Sequence, residues 1–199
     1  MTITAGQVKS LREKTGAGIM ECKAALAEAG GSIEDATTLL RKRGLAQAAK
    51  KAGRSTGQGL VGSYIHTGGQ VGVLVEVNCE SDFVARTEDF QTLAKELAMH
   101  VAAASPQYVR REDVPEDVVE RERAIYKAQM EGAKKPAQVI DKIVEGKLNS
   151  FFEQVVLLEQ PSIRDPKVKV SQMITDAVAK LGENIGVARF ARFKVGESS

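Results

Sequence analysis

The chain has 199 residues and a formal net charge of +2, is 43% hydrophobic and 27% charged, and contains no Trp. This length suits one domain or two small ones with a buried core, and the composition excludes wholesale disorder. Two Cys and two His make neither a compact zinc pattern nor a disulfide framework, so no metal is expected and a reducing cytoplasm is the expected compartment.

Residues 1–44 read as three short helices. The first seven residues show no basic segment followed by an apolar run, so no secretory leader is expected. Thr4 with Gln7 three residues on forms a capping-box pattern, Val8 and Leu11 supply apolar positions, and Thr15–Gly18 ends the first helix. The second runs from about Ile19 to Ala29, with Ile19, Cys22 and Leu26 on one face and Gly30-Gly31 stopping it. Ser32 caps the third, with Asp35 three residues later. Ile33, Ala36, Leu39 and Leu40 line its inner face, and Gly44 is expected to end it. Such a bundle buries little alone and is expected to be a recognition module beside something larger.

Residues 45–57 read as a connector, helical at its start and flexible at Gly53 and Ser55–Gly57. From Arg41 to Arg54 there are six basic residues and no acidic one. This stretch is either a patch for an acidic protein surface or RNA, or a solvated helix-favouring linker. Residues 1–54 hold ten Lys/Arg against five Asp/Glu, and residues 55–199 hold eighteen against twenty-one. We therefore expect an N-terminal three-helix domain with a basic linker, 1–54, and a core domain, 55–199, facing different surfaces.

The core reads as α+β. Leu60–His66 and Val71–Val77, separated by Thr67-Gly-Gly-Gln70, predict an antiparallel hairpin whose second strand is central or covered on both faces. A helix is expected from about Thr87 to Ala104, with Phe90, Leu93, Ala94, Leu97 and Val101 inward. Another is expected from Pro115 to Gly132, with Val118, Ile125 and Tyr126 inward. Pro136 opens the next, where its missing N–H costs little. In that helix Ile140, Ile143 and Val144 share a face, Gly146 breaks the pattern, and Leu148, Phe151, Phe152 and Val155 resume it. A last helix spans Ser171–Leu181. Ile185–Val195 predicts a third strand returning to the hairpin, with Ile185, Val187, Arg189, Ala191 and Phe193 on one side. The apolar stretches near Val71–Val77 and Val155–Leu158 are too short to span a bilayer, so no membrane partner is expected.

No catalytic constellation emerges. There is no phosphate-binding loop, and Gly16-Ala-Gly18 reads as a tight helix–helix turn. Cys79 and His66 offer a conceivable nucleophile pair without an orienting group, and a small core Cys explains Cys79 equally. Cys22 reads as core and His100 as structural. The segment Glu76-Val-Asn-Cys-Glu-Ser-Asp-Phe-Val-Ala-Arg86 turns from a buried strand into a helix, with Ser81 or Asp82 as cap. Phe83 there is either a staple under its own helix or an aromatic anchor held out for a partner's pocket.

Two motifs, Leu11-Arg-Glu-Lys-Thr-Gly-Ala-Gly-Ile-Met-Glu-Cys-Lys-Ala-Ala-Leu26 and the Glu76–Arg86 segment, resemble the bacterial elongation factor Ts family, guanine-nucleotide exchange factors for elongation factor Tu. The resemblance continues through Lys50-Lys51-Ala-Gly53 to Phe190–Val195. Ser81 stands where Thr is common, keeping the hydroxyl cap, and Ile19 stands where Met is common. The length resembles the family's short form. The resemblance implies a ubiquitin-associated-like three-helix bundle followed by a core with a three-stranded antiparallel sheet packed by helices. It implies docking on elongation factor Tu, both GDP-bound and nucleotide-free, through Leu11, Arg12, Thr15, Gly16, Gly18, Ile19, Met20 and Lys23. Lys23 and Lys51 are implied charged contacts, and His66 matches a family contact position. Ser81, Asp82, Phe83 and Val84 are the implied exchange motif, displacing the partner's Mg²⁺. No cofactor and no covalent chemistry are implied, no direct nucleic-acid contact is expected, and a homodimer in a two-plus-two complex is conceivable. The competing reading is an RNA- or ribosome-binding protein using Arg41–Arg54, which lacks interleaved aromatics for base stacking.

Overall fold

The computed structural model describes residues 3–132 and 136–197, so 1–2 and 198–199, at the outer ends of the two expected segments, lie outside the described residues. In chain order the elements are α1 (Ala5–Thr15), α2 (Ile19–Glu28), α3 (Ile33–Lys51), β1 (Gln58–Ile65), β2 (Val71–Cys79), α4 (Asp82–Ala85), α5 (Glu88–Ala104), α6 (Glu116–Ala128), α7 (Ala137–Val155), α8 (Val170–Leu181) and β3 (Gly186–Lys194). The architecture is α+β, with one three-stranded antiparallel sheet in the order β1-β2-β3. The chain forms two compact units, one of Met1–Val61, Glu76–Ala94 and Gln172–Val187, the other of Gly62–Val75, Lys95–Ser171 and Ala188–Ser199.

In the first unit the helix starts follow local chemistry. Thr4 accepts the Gln7 N–H while the Gln7 side chain accepts the Thr4 N–H, completing the capping box. Ser32 caps α3 by accepting the Asp35 N–H at 3.2 Å. Leu11, Cys22, Ala25, Leu26 and Ala36 form the buried centre of the bundle, flanked by Val8, Ile33, Leu39 and Leu40. Ile19, expected on the inner face, instead stands exposed at the first turn of α2. Gly44 does not end the third helix, because α3 continues unbroken to Lys51. A Cβ at Gly44 would meet the Cβ of Ala179 on α8 at 3.4 Å. The glycine thus lies where α8 approaches α3, and that packing outweighs its helix cost of about 1 kcal/mol.

The hairpin turns where expected, the His66 N–H donating to the Val71 carbonyl at 2.9 Å. β2 is the central strand, but it is covered on one face only: Val73, Val75, Val77 and Cys79 are buried while Leu74 is exposed. On β3, Val187 is buried, yet Phe193 is exposed and Arg192 turns inward, its Nε donating to the Ala102 carbonyl at 3.3 Å. Burial therefore switches along the strand, from Val187 near its start to half-buried Phe190 and Arg192 further on.

In the second unit Val114, Val144, Leu148, Phe152, Val155 and Val156 form a core against α6 and α7. Gly146 does not interrupt α7: buried Val144 and Leu148 on either side hold the helix through it. Ile125, expected inward, is exposed, whereas Val118 and Tyr126 pack on this core. Buried His100 lies 2.9 Å from the Gln160 Oε1 through Nε2, and its Nδ1 accepts the Ile163 N–H at 3.4 Å. That arrangement fixes a neutral imidazole, and burial lowers its pKa below the usual 6.5.

Candidate functional site

The strand-to-helix corner Glu80–Ala85 is built almost wholly from polar contacts. Ser81 is the N-cap of α4, its Oγ accepting the Val84 N–H at 3.3 Å. Its carbonyl accepts the Cys79 thiol at 3.1 Å and the Ala85 N–H at 3.3 Å. The Glu183 carboxylate, just past α8, accepts the N–H of Glu80 at 3.1 Å, the N–H of Ser81 at 3.0 Å and the Ser81 hydroxyl at 2.6 Å. In the opposite direction, Glu80 accepts the Asn184 N–H at 2.6 Å and pairs with Arg54 at 3.4 Å. Asn184 completes the lattice by donating to the carbonyls of Ala52 and Arg54 at 3.4 and 2.8 Å.

Gly59 sits beneath this corner with φ +149, and a Cβ there would stand 2.2 Å from the Val77 carbonyl oxygen. Only glycine permits both that conformation and that approach. On the far side, Thr87 Oγ1 donates to the Val84 carbonyl at 2.7 Å and accepts the Phe90 N–H at 3.3 Å, so α4 runs directly into α5.

On this held backbone the side chains point out. Phe83 is 79% exposed, the highest value among the exposed large hydrophobics, so the ring is no staple. Asp82, half-buried, pairs with largely exposed Arg86 one turn on at 2.8 Å. Val84 is half-buried.

A second feature of the same unit is the α1–α2 turn. Gly16 has φ +68 in the left-handed region, and its N–H donates to the Arg12 carbonyl. Thr15 Oγ1 donates to the Leu11 carbonyl at 2.8 Å and accepts the Ala17 N–H at 3.3 Å, and Gly18 N–H donates to Glu21 at 3.2 Å. This stitched turn presents Ile19, 56% exposed, and Met20, 74% exposed. Arg12, Gly18 and Lys23 are exposed, Thr15, Gly16 and Lys51 half-buried, and Leu11 is fully buried, supporting the turn from within. His66 belongs to the other unit, where its Nδ1 lies 3.0 Å from the Tyr64 hydroxyl.

Several residues that shape the corner carry no local sequence signal. Glu183 and Asn184 act on residues roughly a hundred positions earlier in the chain. Gly59 is one of 18 glycines, and Arg86 stands out only by its i,i+4 spacing from Asp82.

Neither cysteine is placed as an activated nucleophile. Both cysteines are buried and free. Burial first, and then the Glu183 carboxylate, push the Cys79 thiol above its ordinary pKa, the reverse of what an activated nucleophile needs. Among the described residues no group of three or more His, Cys, Asp or Glu is placed to hold a metal ion. No helix among them is long and apolar enough to cross a membrane. Within the basic stretch, Arg41 donates to Gln172, Arg43 pairs with Glu28 and Arg54 with Glu80, so three of its cations are occupied by this chain's own groups.

A family model described as Elongation factor TS matches residues 7–197. The chain is 58% identical over 196 residues to elongation factor Ts of Solibacter usitatus, covering 98% of this chain and 92% of that one. It is 60% identical over 195 residues to elongation factor Ts of an Anaeromyxobacter species, covering 98% and 89%. Against elongation factor Ts of Fervidobacterium nodosum it is 57% identical over 197 residues, covering 99% and 100%.

Proposed function

The chain belongs to the elongation factor Ts family, and from that premise we propose how its residues free GDP from elongation factor Tu. Residues 1–54 act as the docking module. The stitched turn offers Arg12, Thr15, Gly16, Gly18, Ile19, Met20 and Lys23 to the partner, with Lys51 adding charge near the end of α3. His66, in the second unit, is a further contact.

The corner then does the exchange. Phe83 enters between helices of the partner while Ser81, Asp82 and Val84 keep it in register, and the elements holding the partner's Mg²⁺ and phosphate loop shift. Without Mg²⁺ the diphosphate charge is uncompensated, so GDP leaves and GTP can rebind. No covalent bond changes, and no acid, base or nucleophile is required.

The observation that carries this reading is Phe83, 79% exposed on a backbone pinned by Glu183 and Ser81. Burying a whole Phe side chain yields about 1.5–3 kcal/mol. The free chain forgoes nearly all of it, and a partner pocket recovers it. A rigid backbone means little ordering cost at that moment.

The partner is bound in both the GDP-bound and nucleotide-free states, more tightly in the second. Linkage then requires that the chain weaken GDP affinity by the same factor. Titrations against nucleotide-free and GDP-saturated elongation factor Tu test this: equal affinities would remove the mechanism. A second copy of the chain is a further proposed partner, with Ile65, Leu74 and Phe193, exposed apolar side chains of the sheet in the second unit, as the contacts it would cover. A mass that stays monomeric at high concentration would exclude that pairing.

A further inference from the structure

We infer that Glu183 is a positioning residue for exchange: it holds the Ser81–Val84 corner in its productive shape without touching the partner. The inference rests on the exchange reading above and deepens it. One carboxylate accepts two consecutive backbone N–H groups, of Glu80 and Ser81, and the Ser81 hydroxyl. A charged acceptor makes each of these bonds stronger than a neutral one would.

Apart from Glu183, the corner is held by local bonds at Ser81 and by the Glu80 contacts to Asn184 and Arg54. The helix that follows is four residues long, Asp82–Ala85, far too short to support itself. Of its apolar side chains Ala85 is buried and Val84 half-buried, but the largest, Phe83, faces water. An ordinary turn of this kind is fixed by burying such a residue, and here that anchor is given over to the surface. Polar contacts from Glu183 supply the rigidity instead. The return contact from Asn184 N–H to Glu80 and its donations to Ala52 and Arg54 tie the same lattice to the end of the basic segment. Without the carboxylate, two N–H groups and a hydroxyl turn to water, and Phe83 samples many orientations.

The consequence is specific. The docking turn is untouched, so loss of Glu183 lowers the rate reached at saturation rather than the concentration needed to reach it. In the full chain, Glu183→Ala is expected to lower the maximal GDP-release rate from elongation factor Tu about tenfold while moving the half-saturating concentration less than about twofold. Glu183→Gln should recover most of the rate, because the amide oxygen still accepts both N–H groups. Adding Glu183→Ala to Phe83→Ala should cost little more than Phe83→Ala alone, since the first acts through the second.

A wild-type maximal rate in Glu183→Ala overturns the inference, as does a change confined to half-saturation, or full additivity with Phe83→Ala. Should Glu183→Ala fail to fold by circular dichroism, Glu183→Asp carries the test. It keeps the charge but withdraws the oxygens by one methylene, and a wild-type rate there overturns the inference. Amide hydrogen exchange at Glu80 and Ser81 needs no partner. Exchange should be slow in the wild-type chain and fast in Glu183→Ala, and equal exchange refutes the positioning role. If the wild-type chain fails to release GDP while this contrast persists, the exchange reading falls and the corner's anchor stands.

Discussion

Replacing Phe83 by Ala separates an interaction residue from a core residue. In the free chain only about a fifth of its surface is hidden, since the residue is 79% exposed. Full burial of a Phe side chain is worth about 1.5–3 kcal/mol, so removing this ring should cost the fold roughly 0.5 kcal/mol. For a chain of this size that lowers the melting temperature by about 1–2 °C. In the complex proposed above the partner would bury the ring, and truncating an aromatic anchor so buried costs about 2 kcal/mol or more. At 1.4 kcal/mol per tenfold, stimulated GDP release should fall about 30-fold. The assay is stopped-flow release of fluorescent GDP from elongation factor Tu, run beside thermal denaturation of the variant alone. A variant that melts far below the parent would make Phe83 a core residue, and one that melts normally and exchanges at full rate would deny it any part in exchange.

Gly59→Ala forces a Cβ to within 2.2 Å of the Val77 carbonyl oxygen. It should destabilise the fold by about 3 kcal/mol or more, read as a drop in denaturant midpoint; an unchanged midpoint would deny the close approach. Lys23→Glu should weaken complex formation mainly through a slower association rate, with the difference from the parent shrinking as salt rises, as rapid mixing at two ionic strengths can show. His100 is held neutral by burial with its pKa below 6.5, so the unfolded chain binds the proton more readily. Stability from this group is therefore full above its ordinary value and is lost as pH falls below about 6.5 toward the folded pKa. Denaturant unfolding between neutral and mildly acidic pH should show that loss, and His100→Asn should reduce it.

Legibility followed the range of the contacts. The Thr4–Gln7 and Ser32–Asp35 caps span three residues each, and the sequence carries them plainly. The nearly continuous apolar run Val71–Val77 likewise places β2 at the centre of the sheet, though not its one-sided burial. Glycine misled twice for opposite reasons. Gly44 reads as a stop but is the contact point with Ala179, while Gly146 meets nothing within 4 Å and is carried by its buried neighbours. Ile19 and Ile125 fit an inner face by spacing, yet both stand in solvent, because helical periodicity does not say how far around the helix a neighbour reaches. At the corner, Ser81 was readable as a cap because the cap is local. The choice between staple and anchor for Phe83 was not, because it depends on whether something else holds the turn. That something is Glu183, 102 residues away from Ser81.

As a member of its family, this chain opens the nucleotide site of another protein by binding and not by covalent chemistry. Release of fluorescent GDP from elongation factor Tu, with and without the chain, measures it most directly. Release should accelerate with chain concentration to a plateau and leave both proteins covalently unchanged. Release at the spontaneous rate across the whole titration would contradict it.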